Sequence, residues 1–436
     1  MRASWLLLLA AQTAAWAPKR AVPQRRAALK ASAAEAFAGM LDAPLRSILE
    51  PARRSILDVA AVTTFLKDRG AAPHHVHSLY RHLFQDGGDL TAEALHEVAG
   101  LGRNDARALD AAFGIISTVV ASESSVGGRK FVVRVGSGQK IETVLIRHDT
   151  HTSGRRRATV CLSSQVGCGR KCAFCATGTM GMLQQLSSAE MLEQVWHVQK
   201  HLSLENAVQA TVDASKTPFV LRNVVFMGMG EPLDNVWEVL LALDGLQDRR
   251  MFSLAAKHLT VSTVGAEASK IKLLADSQPR VRLALSLHAA DQAKREAIIP
   301  AAKQTALADL GPALDYHAAA SGSGAMIEYL LIAGVNDSAA DADALADFTL
   351  QRLQATPSAS PPFCNLIPYN PTAAGDVVGF QTPSDEAVRV FHSRLRDVHG
   401  INALIRWTSA NGRDAQGACG QLALANDAET APIPAR

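Results

Sequence analysis

The chain has 436 residues, enough to bury one large core or two smaller ones, with an ordinary globular composition and a formal net charge of +3. That charge is concentrated at one end. Residues 1–34 hold Arg2, Lys19, Arg20, Arg25, Arg26 and Lys30 and no acid, and without these six the balance falls to −3. Bulk charge therefore gives no reason to assign the body of the protein a polyanionic partner, and no segment reaches the roughly 18 apolar residues of a membrane span.

Taken in chain order, Arg2 precedes a short apolar run, Trp5 to Ala11, and small residues at Thr13-Ala14-Ala15 offer a cleavage site. The following "WAPKRAVPQRRAALKAS" is basic, rich in Ala and free of acids, as transit peptides are. Residues 1–50 are expected to be a presequence and linker. The two-part arrangement resembles plastid presequences of algae with secondary plastids. That resemblance implies a plastid stroma location, with secretion, cytoplasm or mitochondrion as alternatives.

Residues 51–122 read as a small helical accessory domain. "SILDVAAVTTFLKDRG" stops at Gly70, and Thr91 caps a segment closed by Gly100 and Gly102. His74, His75, His77 and His82 fit no zinc spacing and are expected on exposed helix faces or loops. Within 123–153, "RKFVVRVGSGQKIETVLI" predicts a β-hairpin turning at Gly136-Ser137-Gly138.

From 154 to 413, β-like runs near 158–162, 222–227, 258–263, 281–287, 325–332 and 363–367 alternate with amphipathic helices. One helix opens with the capping box Ser187/Glu190, and another carries Val236, Val239, Leu240 and Leu243 on one face. Six such units predict an α/β fold with a parallel sheet curved into a partial barrel, its chemistry at the C-terminal strand ends. Residues 414–436 form a tail.

The cysteines carry the chemistry. Cys168, Cys172 and Cys175 stand as C-x3-C-x2-C, Cys161 lies seven residues upstream, and Cys419 sits in the tail. Structural zinc asks for a fourth closing ligand, which the sequence does not supply. A cubane iron–sulfur cluster held by three thiolates keeps one iron open. The triad with Phe174, "VVFMGMGEP", "HLTVSTVG" and "VRLALSLHA" together resemble the radical SAM superfamily. Its members bind S-adenosylmethionine (SAM) at that open iron. The resemblance implies SAM contacts at Gly230 and Glu231, Ser262, Ser286, Leu287 and His288, and Asn370 of "PYNP".

"RATVCLSSQVGC", "MGMGEPLDN", "STVG", "LSLHA", "NLIPYNP" and "ACGQL" narrow the match to the adenine methyltransferases of the RlmN and Cfr family, over roughly residues 55–425. This resemblance implies a [4Fe-4S] cluster on Cys168, Cys172 and Cys175, and two SAM molecules per turnover. One SAM methylates Cys419, and the second starts radical chemistry on that methyl group. Glu142 of "IETVLI" is the implied proton acceptor, and Cys161 would release product by pairing with Cys419. Implied partners are large-subunit rRNA, a tRNA as the second substrate of some family members, and a reductant such as ferredoxin or flavodoxin. Carbon 2 of adenine is the expected target. Carbon 8, or a radical SAM reaction on another substrate, are the alternatives. Cys364, mid-strand in "PFCNLIP", is expected in the core, and Arg155, Arg156 and Arg157 read either as a solvated loop or, slightly preferred, as contacts to RNA phosphates. Where the family often carries Trp-Ile, this chain has "HLF" at 82–84.

Overall fold

The computed structural model describes residues 53–85, 88, 90–125, 127–149, 156–407 and 420–422. The presequence, Arg155 and Cys419 lie outside the described residues. From Arg54 onward the described residues form one compact unit.

Four helices come first: α1 Val59–Asp68, α2 Pro73–Gln85, α3 Ala92–Ala99 and α4 Arg103–Ala112. Asp58 and Thr91 cap α1 and α3 by accepting from the backbone N–H groups of Ala61 and Ala94, and Gly100 ends α3 at φ +67°. Leu66, Leu79, Tyr80, Leu95 and Leu109 are buried between them. Short strands β1 (Arg54–Ser55) and β2 (Phe113–Gly114) pair in parallel beside this group. His82 departs from the surface expectation. It is buried, because the apolar face of α2 that carries Val76, Leu79 and Leu83 extends over it. Phe84, of the divergent "HLF", packs edge-on against Trp196 and Phe252.

The expected hairpin is one half of a three-stranded meander. Strands β3 (Thr118–Ser125), β4 (Gly128–Arg134) and β5 (Lys140–Asp149) pair antiparallel, and β5 continues antiparallel onto β6 (Arg156–Cys161). β3 escaped the sequence reading because "TVVASESS" lacks a sustained apolar alternation.

Beyond β6 lie the hairpin strands β7 (Gln165–Cys168) and β8 (Gly181–Gln185), with the short helix α5 (Ala176–Thr179) between them. The long helix α6 (Ser188–Val212), with both halves of its capping box in place, leads to β9 (Val220–Phe226). Then α7 (Val236–Gln247), β10 (Leu259–Thr263), α8 (Ala268–Ser277), β11 (Arg282–Ser286), α9 (Gln292–Ile298) and α10 (Leu307–Ser321) follow. The chain continues through β12 (Met326–Leu331), α11 (Ala339–Ala355), β13 (Phe363–Pro368), α12 (Ala373–Val377), α13 (Asp385–Ser393) and β14 (Ala403–Ile405). Strands β14-β13-β12-β11-β10-β9-β6-β5-β4-β3 are neighbours in that order, parallel from β6 onward. This is the partial α/β barrel that the alternation predicted, with a short seventh parallel strand, β14, added at the edge.

Alternation along each strand gives the sheet two faces. Ala158, Val160, Val224, Leu259, Val261, Leu283 and Leu285 are buried on the face covered by helices. The inner face is polar: Thr159, Asn223, Ser262, Ser286, Glu328 and Asn365 point into it, joined by contacts such as Asn223 Nδ2 to Thr159 Oγ1 at 3.3 Å. No described helix is long and apolar enough to cross a membrane.

Candidate active site

The inner ends of the parallel strands enclose an open cavity of about 920 Å³, its mouth included. Cys168, Cys172 and Cys175 line it together with Gly230, Glu231, Ser262, Ser286 and His288. Residues separated by more than a hundred positions in sequence thus converge, as the strand-end argument expected.

The cysteine loop is fixed from several sides. Cys175 N–H donates to Cys172 O at 3.0 Å, and Ala173 N–H donates to Ile298 O at 2.9 Å. Phe174 meets His288 edge-on, with ring centroids 4.8 Å apart. Gly167, at φ +76°, lets β7 cross β8 at close range: a Cβ there would stand 1.9 Å from Gly181 O. Burial pushes all three thiols up, Cys168 to about 12, so they are protonated until a metal displaces the protons.

The donor set fits an iron–sulfur cluster. The described residues hold no His/Cys/Asp/Glu group arranged to close on a single metal ion, whereas a cubane spreads its thiolates around four irons. Behind the loop stands Arg295, fully buried and within electrostatic reach of Cys172. Its Nη2 donates to Val264 O, while Nε and Nη1 have no partner among the described residues. A buried cation left unpaired beside three thiols calls for a negative group there. No local pattern marks Arg295, whose contacts are set by tertiary packing.

The "GMGEP" turn is equally built. Gly230 sits at φ +100°, and a Cβ would collide with Gln165 at 2.6 Å. Glu231 N–H donates to Gln165 Oε1 at 2.8 Å, and the Glu231 carboxylate accepts from Leu233 N–H and Val264 N–H at 3.0 and 2.9 Å. Burial raises its pKa and these donors oppose the rise. Ser262 and Ser286 hydroxyls lie 3.4 Å apart on adjacent strands. His288 adopts φ +57° just beyond β11. Its Nδ1 accepts from Leu330 N–H at 3.0 Å, so a neutral ring carries its proton on Nε2. Burial holds it neutral, with a pKa near 3.

Not every expected residue reaches the cavity. Leu287 packs its side chain into the core and donates its N–H to Glu328 O at 3.0 Å. Asn370 is buried outside the lining, its Nδ2 without a partner among the described residues. Glu142 is also buried away from the lining, with Lys130 Nζ 3.1 Å from Oε1 and no partner on Oε2 among the described residues. Cys161 ends β6 as a buried cysteine, opposite Val144 of β5, whose side chain shares a face with Glu142 two positions away. Cys364 is core, as expected: fully buried beside Thr349 Oγ1, its thiol pushed up to about 12.

The tail closes on this site. Ala176 N–H donates to Gly420 O at 2.8 Å, Thr177 Oγ1 donates to Leu422 O, and Gln421 Nε2 donates to Pro371 O at 3.1 Å. Gly420 and Leu422 line the cavity with the three cysteines.

A three-thiol loop beside a G-x-E-P turn at the ends of a parallel sheet defines a radical SAM enzyme, and residues 162–310 match the Radical SAM superfamily. Over 376 residues the chain is 35% identical to a probable dual-specificity RNA methyltransferase RlmN of Salinibacter ruber, covering 85% of this chain and 93% of that protein. The Parafrankia protein of the same description is 41% identical over 297 residues, 68% of this chain and 71% of its own length. A crystal structure of a radical SAM methyltransferase from Sphaerobacter thermophilus superposes with a TM-score of 0.70 at 31% identity, covering 85% of this chain and 99% of that one. The chain belongs to the RlmN family of radical SAM RNA methyltransferases. A [4Fe-4S] cluster and SAM follow from that membership.

Proposed function

We propose that the enzyme methylates carbon 2 of an adenine in large-subunit rRNA, and a tRNA adenine as well, using Cys419 as a methyl carrier and two SAM molecules per turnover. The observation that carries this reading is the docked tail: Gly420, the residue bonded to Cys419, lines the same cavity as Cys168, Cys172 and Cys175. An adenine ring carbon is too weak a nucleophile to take a methyl group from SAM directly. The cluster, when bound, supplies the electron that opens a radical route instead.

The chain's own groups do the remaining work. Gly230 and Glu231 offer backbone and carboxylate at one side of the cavity, and Ser262 and Ser286 offer hydroxyls at its floor. Glu142, held by Lys130, takes the proton from the modified ring carbon. Cys161, on the same inner face, frees the product from Cys419. Asn370 belongs to the SAM contacts through its unpartnered amide, and Leu287 through its backbone. Ferredoxin or flavodoxin is the reductant, and the basic leader delivers the protein to the plastid stroma.

Nucleoside mass spectrometry of rRNA treated with the anaerobically reconstituted enzyme tests the reading. 2-Methyladenosine is the expected product. 8-Methyladenosine would overturn the carbon assignment, and no modified adenosine would overturn the substrate.

A further inference from the structure

The inner face of the sheet changes character from one end of the strands to the other. At the C-terminal ends lies the cavity. At the opposite ends lie cations. Arg157 stands near the start of β6, on the same face as Thr159 and Cys161, and Arg282 opens β11 on the face of Ser286. Four residues of strand, about 13 Å, separate Arg157 from Cys161. His148 of β5 is the register partner of Arg157. Lys257 and His258 lead into β10, where Arg222 Nε approaches His258 Nε2 at 3.3 Å. Arg406 follows β14, so its backbone stands at the C-terminal end of that strand, but its Nε donates back along the inner face to Asn365 Oδ1 at 2.8 Å.

These groups act on one another. Burial, followed by Arg157 and Arg406, lowers the pKa of His148. Burial, followed by Arg222, Lys257, Arg282 and Arg157, lowers that of His258. Arg157, Arg222, Lys257, Arg282 and Arg406 are all exposed. Among the described residues none of the five forms an ion pair with a carboxylate, although such pairs are common elsewhere on the molecule, as at Arg147–Glu205 and Arg394–Asp343. The buried Glu328 carboxyl is within electrostatic reach of Arg406, but five like charges gathered without a direct carboxylate pair among the described residues repel one another, and a bound polyanion relieves that repulsion.

A chain of hydrogen-bonded side chains joins this patch to the cavity lining. Asn365 Nδ2 donates to Glu328 Oε2 at 2.7 Å, and Glu328 lines the cavity beside Ser286. A polar thread therefore runs from exposed Arg406 through Asn365 and Glu328 to the cavity.

We propose that RNA docks on this basic patch, with backbone phosphates on Arg157, Arg222, Lys257 and Arg282 toward the N-terminal ends of their strands and on Arg406, whose side chain extends back along the inner face from the end of β14. The target base then rises along the polar inner face, past Asn365 and Glu328, toward the cavity. This rests on the RNA-methyltransferase reading above and adds to it the face the substrate uses. Phosphate contacts of this kind position the strand, and a base that undergoes chemistry must leave its stack to reach an interior site.

The test is fluorescence anisotropy of the full-length reconstituted protein with a labelled hairpin from the peptidyl-transferase region of large-subunit rRNA, between 50 and 300 mM KCl (chosen to span roughly the range over which phosphate contacts weaken). Arg157→Gln, Arg222→Gln, Arg282→Gln and Arg406→Gln should each weaken binding about tenfold and lower the salt slope by roughly one. Arg389→Gln, an exposed arginine on α13, is the control and should bind as wild type. Unfolding temperatures monitored in parallel exclude misfolded variants, and exposed positions tolerate the change. Wild-type-like affinity and slope in all four well-folded variants would overturn the docking face while leaving the RNA reading intact. A wild-type protein that binds no RNA at any salt would overturn both.

Discussion

Lys130 Nζ lies 3.1 Å from Glu142 Oε1, and both side chains are buried between neighbouring strands β4 and β5. Burial raises the Glu142 pKa, and the adjacent ammonium opposes that rise. A base must be ionised to accept a proton, so methylation should increase with pH as Glu142 loses its own proton. Lys130→Met removes the opposing charge, so the carboxyl pKa climbs further and the acidic limb of kcat/KM moves to higher pH. Glu142→Gln should abolish methylation. An acidic limb unmoved in Lys130→Met would detach this pair from catalysis.

Glu193 offers a stability test far from the cavity. Its fully buried carboxylate accepts from Ser55 Oγ at 2.5 Å, Ile116 N–H at 3.1 Å, and the N–H and Oγ of Ser117 at 2.8 and 2.5 Å. Helix α6 thus ties both ends of the N-terminal helical segment to the sheet. Glu193→Ala strands four donors at once and should cost about 2–4 kcal/mol, read as a lowered urea midpoint. Ser55→Ala removes one donor and should cost about 1 kcal/mol. A midpoint unchanged in Glu193→Ala would mean that water replaces the carboxylate.

How far the sequence reached depended on the range of the interactions involved. Strands such as Leu259–Thr263 and Phe363–Pro368 carried β-branched or apolar runs bounded by helices, and the Ser187/Glu190 box marked α6. Local pattern sufficed for these. β14 has three residues and β7 four, too short for any periodicity. Arg295 sits on a short helix whose sequence, "QAKREAI", reads as solvated, and only the folded chain buries it behind Cys172. Glu328 and Asn365 looked like ordinary strand polar residues until strand pairing joined them to Arg406. Glu231, by contrast, was singled out through the family resemblance, because its "GMGEP" motif is contiguous in sequence.

The three thiols that line the cavity and the core thiol of Cys364 should separate cleanly. Cys168→Ala, Cys172→Ala and Cys175→Ala each remove a ligand and should abolish cluster iron and deoxyadenosine formation together. Cys364→Ala only deletes a buried sulfur, costing about 1 kcal/mol, and should keep full iron content and activity. Near-normal deoxyadenosine from any of the three cavity variants would contradict the assignment.

Cys161 gives the sharpest test of the two-thiol route. It ends β6, buried, on the inner face that also carries Glu142. Methylation of Cys419 and attachment of its carbon to adenine ask nothing of Cys161. Release does: a thiolate must attack the Cys419 sulfur, forming a sulfur–sulfur bond while the carbon departs with its electron pair and gains a proton. Without that thiolate the RNA stays bonded to the protein. Cys161→Ala should therefore show an upshifted band on a denaturing gel that depends on RNA and disappears with nuclease. The band should be absent in Cys161→Ala/Cys419→Ala. In wild type, release regenerates a pair of thiols only after reduction, so omitting a disulfide reductant should limit it to about one turnover. Multiple turnovers by Cys161→Ala would reduce this thiol to a packing group, and Cys419 would then need another way to let its product go.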